Sequence, residues 1–256
     1  MERHRIIPSL LLKNKGLVKG INFSNHKYVG DPINAVRIFS TMEVDELFFL
    51  NIAANSSTSP IPFDYIQEIA DECYMPFAYG GGVRTIKDIE MIIKSGAEKV
   101  VINTQAFVDN NFIREASNIF GSQAIVVSID VLVENKSFSI FSHSGQKRLD
   151  LDLEAHVKQV EALGAGEILI TAIHRDGTMN GFDINLSKRI ADLVQIPVIA
   201  CGGCWTEEHI IDILSQTKIH AVAAASMFVF HGSREGVLIN YLSNKKINKI
   251  HEEIYG

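Results

Sequence analysis

"PFAYGGGVRTIKDIEMIIKSGAEKVVINTQAF", residues 76–107, returns later in the chain as "PVIACGGCWTEEHIIDILSQTKIHAVAAASMF", residues 197–228. Laid over each other without a gap, Gly81-Gly82 meet Gly202-Gly203, Thr85 meets Thr206, and Phe107 meets Phe228. Upstream at the same offset, Glu46-Leu47 meet Glu167-Ile168. Each copy reads as an apolar run, a glycine loop, an amphipathic stretch and a second apolar run, which is strand, turn, helix, strand. Solenoid repeats recur every ~20–50 residues. This spacing is far longer, so the repeating unit is half of a fold.

Working outward, the pattern fills the chain. Strands are expected at 5–11, 46–52, 77–79, 99–102, 124–130, 167–173, 197–200 and 220–224. Their continuous apolar character suits strands buried on both faces, as in a parallel sheet. Amphipathic helices are expected between them, for example at 85–95 and 153–163. Eight strand-helix units in 256 residues predict an α/β fold, a (β/α)8 TIM barrel. A doubly wound sheet would carry one glycine fingerprint near its first strand, and none is there. No linker interrupts the pattern, so residues 1–256 are read as one domain of two half-barrels, about 1–121 and 122–256. The longer loop after strand five carries Asn135-Lys136 and reads as a small hairpin over the mouth. The segment after strand one reads as a polar loop, Trp205 as opening the helix after strand seven, and the charged tail as the end of the last helix.

Composition narrows the function. A net charge of −6 gives a nucleic-acid partner no electrostatic support. No apolar run approaches the ~20 residues of a membrane span, and the N-terminus lacks the apolar stretch of a signal peptide. Three cysteines make no disulfide framework. A cytoplasmic protein without a cofactor is the expectation. Cys201-Gly202-Gly203-Cys204 has CxxC spacing but no second ligand pair, so it is read as a loop variant and no metal is expected.

Barrels work at the C-terminal ends of their strands. Gly81-Gly82 follow strand three and Gly202-Gly203 follow strand seven. Glycine lets backbone N–H groups close on an anion. Asn103-Thr104 after strand four and Ala225-Ser226 after strand eight can complete one phosphate cradle each. Two copies at matching places in a repeat favour phosphate binding over mere turns, and the ligand would be elongated with a phosphate at each end. At the opposite end, Arg5, Glu46, Lys99 and Glu167 each begin a strand. Two cations and two anions there can form a neutral ring; on charge alone it is a salt-bridged floor that needs mutual pairing to be buried.

The segments "RIIPSLLLKNKGLVKGINF", "GDPINAVRIF", "DELFFLNI", "YGGGVR", "GAEKVVINT", "FGSQAIVVSIDV", "GAGEILITAIHRDGTMNGFD" and "IPVIACGG" resemble the cyclase subunit of imidazole glycerol phosphate synthase. The likeness spans nearly the whole chain. It implies a barrel that takes ammonia from a glutaminase and passes it through its core to a bisphosphorylated substrate at the mouth. It implies two aspartates, at the ends of strands one and five, as general acid and base. Asp130 fills the second role. Where the family reads roughly C-L-D-V-K, this chain has Ser9-Leu10-Leu11-Leu12-Lys13, so Leu11 holds the place of the missing acid. Asn51 stands where the family has an aspartate, and the usual D-R-D-G reads His174-Arg175-Asp176-Gly177. The resemblance implies substrate contact for Lys19, Asp176 and Gly177, and an ammonia gate at Arg5, Glu46, Lys99 and Glu167. His174 and His143 are the candidates for a replacement base.

The readings divide as follows. The favoured one is a paralogue that keeps the ammonia supply and has lost cyclisation. Second copies of this subunit resemble suppliers of ammonia to a sugar amidotransferase, which converts an acetamido to an acetamidino group in surface-polysaccharide biosynthesis. The alternative is a genuine cyclase of histidine biosynthesis, a lyase, with an altered acid/base set. A phosphoribosylformimino isomerase also needs an acid at strand one and has no use for the gate. A scaffold that only activates a glutaminase would need no passage. The chain has no glutaminase triad of its own, so that partner is expected to dock on the N-terminal barrel face.

Overall fold

The computed structural model describes residues 4–55, 60–109, 111–232 and 234–255. Eight parallel strands close on themselves: β1 (Arg5–Lys13), β2 (Leu47–Asn51), β3 (Phe77–Gly80), β4 (Lys99–Ile102), β5 (Ile125–Glu134), β6 (Glu167–Ala172), β7 (Val198–Cys201) and β8 (Ala221–Ala224). The ring shuts where Arg5 pairs with Ala221 and Pro8 with Ala224. The expected (β/α)8 barrel is the fold, with small shifts at strand ends.

Runs such as "IVVSI" in β5 form strands because β-branched side chains pack well on a pleated surface. Period-two alternation then sorts the faces. Outward residues such as Phe49, Tyr79, Val100 and Ile102 pack under the helices in one large cluster. Inward residues such as Ile7, Phe48, Val101, Val126, Leu169 and Ile199 form a second cluster along the axis.

The two repeat copies differ in detail. The helix Ile86–Lys94 starts with a capping box: Thr85 accepts from the Asp88 N–H, and the Asp88 carboxylate accepts from the Thr85 N–H. In the second copy His209 holds the place of Asp88, and its Nδ1 accepts from the Trp205 N–H at 3.2 Å. That helix spans Glu207–Gln216 behind Thr206, so Trp205 lies before it and does not open it.

The segment after strand one is not a polar loop. β1 runs on to Lys13 and folds back through Gly16–Ile21, which pairs with Ser24–Gly30. Asn14 and Lys15 turn the chain at φ 51° and 62°. The same dipeptide, Asn135-Lys136 at φ 49° and 65°, turns β5 into Ser137–Ser142, the hairpin expected there. Paired left-handed residues match the twist of the flanking strands. The tail forms the helix Asn244–Tyr255. Among the described residues no helix is long and apolar enough to cross a membrane.

The matched aromatics are not equivalent either. Phe228 is fully buried and packs on Tyr241 at 5.1 Å between ring centres. Phe107 is only partly buried and stacks on His156 at 4.6 Å. Phe228→Ala should therefore lower unfolding free energy by about 3–5 kcal/mol in urea titrations, and Phe107→Ala by clearly less.

Candidate functional site

The strand starts bring four charges to the barrel floor. Arg5 reaches Glu46 at 2.5 Å and Glu167 at 2.7 Å. Lys99 reaches Glu46 at 2.8 Å and Glu167 at 3.2 Å. Cations and anions alternate, so each charge has two opposite neighbours. Glu46 is 2% exposed, which an unpaired carboxylate could not tolerate. Burial works against the charge on Arg5, but Glu167 and Glu46 outweigh it and raise its pKa.

At the other end a cavity of about 340 Å³ opens between the two hairpins. The first cradle lies in its wall: Gly80, Gly81, Gly82, Asn103 and Thr104 all line it, with Ala225. The second cradle borders a small adjoining cleft lined by Gly177, Gly202, Gly203, Ala225 and Ser226, together with Lys19 and Asp176. The repeat persists in the backbone: Gly81 and Gly202 have φ 109° and 104°, Gly82 and Gly203 φ 80° and 96°. A Cβ at Gly81 would sit 2.2 Å from the Asn51 carbonyl, and one at Gly203 2.1 Å from that of Gly181. The buried Ser226 hydroxyl has no partner among the described residues and borders this cleft, where it could donate to an anion.

Asp130 points into the cavity from β5. Its carboxylate accepts from Asn103 Nδ2 at 3.1 Å and from Ser128 Oγ at 3.5 Å. Burial, reinforced by the charge of Asp176, pushes it up to about 7 against the hydrogen bonds from Ser128, Asn103 and Thr171. Such a carboxyl can both take and give a proton near neutrality. Leu11 lines the same cavity and can do neither. Asn51 also lines it, but its amide donates to the Tyr79 hydroxyl at 3.0 Å and accepts from the Ala53 N–H.

Lys19 is a strand residue, 4% exposed, whose ammonium bonds Asp176 at 2.9 Å and the Gly20 carbonyl at 2.8 Å. The Asn22 N–H donates to the Asp176 carbonyl at 2.8 Å. Gly177, at φ 73°, leaves the space that the Gly20 carbonyl needs. The first hairpin is thus tied to the loop after β6.

The two histidine candidates part company. His174 does not line the cavity; its Nε2 meets Asp183 at 3.1 Å and its Nδ1 accepts from the Val133 N–H. His143 does line it, at φ 55°, with its Nδ1 2.9 Å from Ser142 Oγ. Sequence reasoning missed Ser9, Ser128, Thr171 and Cys201 in the wall. Counting back by twos from Leu11 and Asp130 would have found the two serines. It also missed His26, which the first hairpin brings in. The thiols of Cys201 and Cys204 are pushed up by burial, the first to about 12, so neither is a ready nucleophile.

A family model described as histidine biosynthesis protein matches residues 5–234. The chain is 45% identical over 252 residues to a Pseudomonas aeruginosa protein provisionally named imidazole glycerol phosphate synthase subunit hisF2, covering 97% of this chain and 99% of the relative. It is 40% identical over 251 residues to a Vibrio vulnificus protein provisionally named subunit hisF3 of the same synthase, covering 97% and 96%. It is 39% identical over 250 residues to imidazole glycerol phosphate synthase subunit HisF of Lachnoclostridium phytofermentans, covering 97% of each.

Two expectations follow from the geometry. Lys99→Met leaves two floor carboxylates sharing Arg5 and should cost roughly 3 kcal/mol in urea titrations; adding Glu167→Gln rebalances the ring and should recover part of that loss. For Asp130 the folded pKa lies above the unfolded one, so the folded state holds the extra proton between about pH 4 and 7 and wild-type stability falls as pH rises through that window. Asp130→Asn should be more stable than wild type above pH 7, with the gap closing toward pH 4.

Proposed function

The chain belongs to the imidazole glycerol phosphate synthase HisF family, and on that premise we propose that it delivers ammonia rather than cyclising a bisphosphate. In this reading a glutaminase docks on the N-terminal barrel face and releases ammonia at the charged ring. The ammonia moves along the axis to the mouth and is used by a sugar amidotransferase to make an amidine on a surface-polysaccharide precursor. The acceptor enzyme activates its own substrate, so the barrel needs no pair of proton-transfer groups. The phosphate cradles then hold substrate or an allosteric ligand that reports occupancy of the mouth.

One observation carries the reading: the floor ring is complete while the mouth pairs Asp130 with Leu11. Ammonia delivery uses the first feature. Cyclisation requires a second acid that the leucine cannot supply. The numbered relatives hisF2 and hisF3 fit additional copies of the subunit.

A second reading rests on a separate observation. Asp130 lies near neutrality and His143 shares its cavity, which gives a divergent cyclase an acid/base pair of a different kind.

The experiment that separates them supplies the chain with the family's bisphosphate substrate and ammonium salt, without a glutaminase. The expected result is ligand binding without imidazole glycerol phosphate, and turnover appearing in Leu11→Asp. Turnover by the unmodified chain, abolished in His143→Ala, would establish the divergent cyclase instead.

A further inference from the structure

Between the floor ring and the mouth cavity lies a buried apolar layer. Alternation stacks the inward residues of each strand: Glu46, Phe48 and Leu50 on β2 and the residue before it, Lys99 and Val101 on β4, Glu167, Leu169 and Thr171 on β6. Glu46, Lys99 and Glu167 belong to the ring. Leu50, Val101 and Thr171 line the mouth cavity. Phe48 and Leu169 lie between, 0% exposed, in the axial apolar cluster. The cavity wall includes neither of them, so it ends above this layer.

Phe48 is the one aromatic side chain in that cluster among the described residues. Its register neighbours are Ser9 on β1 and Ala78 on β3, and Ala221 and Ala223 belong to the same axial cluster. A large planar ring thus has a methyl-sized side chain as its neighbour on β3. Buried layers of this kind are close-packed, so a molecule crossing the axis must move a side chain. A ring beside alanine can rotate where a branched side chain held between larger neighbours cannot.

We propose that Phe48 is an inner gate, a second barrier above the charged ring, whose ring must swing over Ala78 for ammonia to pass. This rests on the ammonia-delivery reading. The layer also selects the species that passes. Neutral ammonia crosses an apolar layer at little cost, whereas an ammonium ion would lose its hydration without a partner. Phe48 is therefore a positioning and selectivity residue for transfer and takes no part in bond making.

The test uses the complex of this chain with its glutaminase and the acceptor enzyme, supplied with [amide-15N]glutamine in the presence of excess unlabelled ammonium. Product nitrogen is read by mass spectrometry and glutamine hydrolysis in parallel. In wild type the product should carry mainly the label. Phe48→Trp should lower labelled product about tenfold or more, the factor given by ~1.4 kcal/mol of added barrier, with hydrolysis and ammonium-supported synthesis unchanged. Ala78→Leu enlarges the register neighbour of Phe48, hinders the swing and should do the same, which covers the case that the tryptophan variant does not fold. Phe48→Ala should retain labelled transfer. Wild-type labelling in both Phe48→Trp and Ala78→Leu would overturn the inner gate and leave ammonia delivery standing. Absence of label in the wild-type product would overturn ammonia delivery itself, and the gate with it.

Discussion

In a closed parallel sheet a side chain has two directions, and every second residue of each strand faces the axis. This constraint organises the molecule from floor to mouth. A strand that begins with a charge must place its third residue above that charge and its fifth at the next level. The axis therefore passes from ion pairs, through an apolar layer around Phe48, to a polar wall with Ser9, Ser128, Thr171 and Asp130. Each level differs in chemistry: paired charges at the floor, apolar side chains in the middle, and hydrogen-bonding groups at the top.

The mouth is symmetric in backbone and asymmetric in chemistry. The two glycine pairs adopt matching left-handed conformations, and carbonyls crowd both. The side chains around them have diverged. Asp130 pairs with Thr171 of β6, and Leu11 occupies the corresponding position on β1, paired with Leu50 of β2. Asp176 is neutralised by Lys19, and both are buried. A fold whose backbone is fixed by packing can thus keep its glycine turns while the side chains around them differ, because the two depend on different atoms.

What could be read in the sequence follows the same division. The eight strands, the helices between them and the second hairpin were legible because apolar runs, amphipathic stretches and the Asn135-Lys136 turn are local signals. The first hairpin carried an equal signal in Asn14-Lys15 and was passed over beside a lysine-rich, polar run. The placement of His174 was not legible. Its partners Asp183 and the Val133 N–H come from a following helix cap and a neighbouring strand, and nothing local in "IHRDG" distinguishes a locked imidazole from a free one. His26 entered the cavity only because the first hairpin folds over the mouth. The grouping of the floor charges could be anticipated from strand starts; their strict alternation around the ring depends on barrel closure.

The floor ring is shared unequally by the two halves of the chain. Arg5, Glu46 and Lys99 come from the first and only Glu167 from the second. Taken alone, the first half would present one uncompensated cation at the bottom of its sheet, and the second one uncompensated anion. Each half thus lacks the counter-charge that the other holds, at the level where their strands meet. Charge balance at the floor is therefore a property of the closed barrel and of neither sequence repeat by itself.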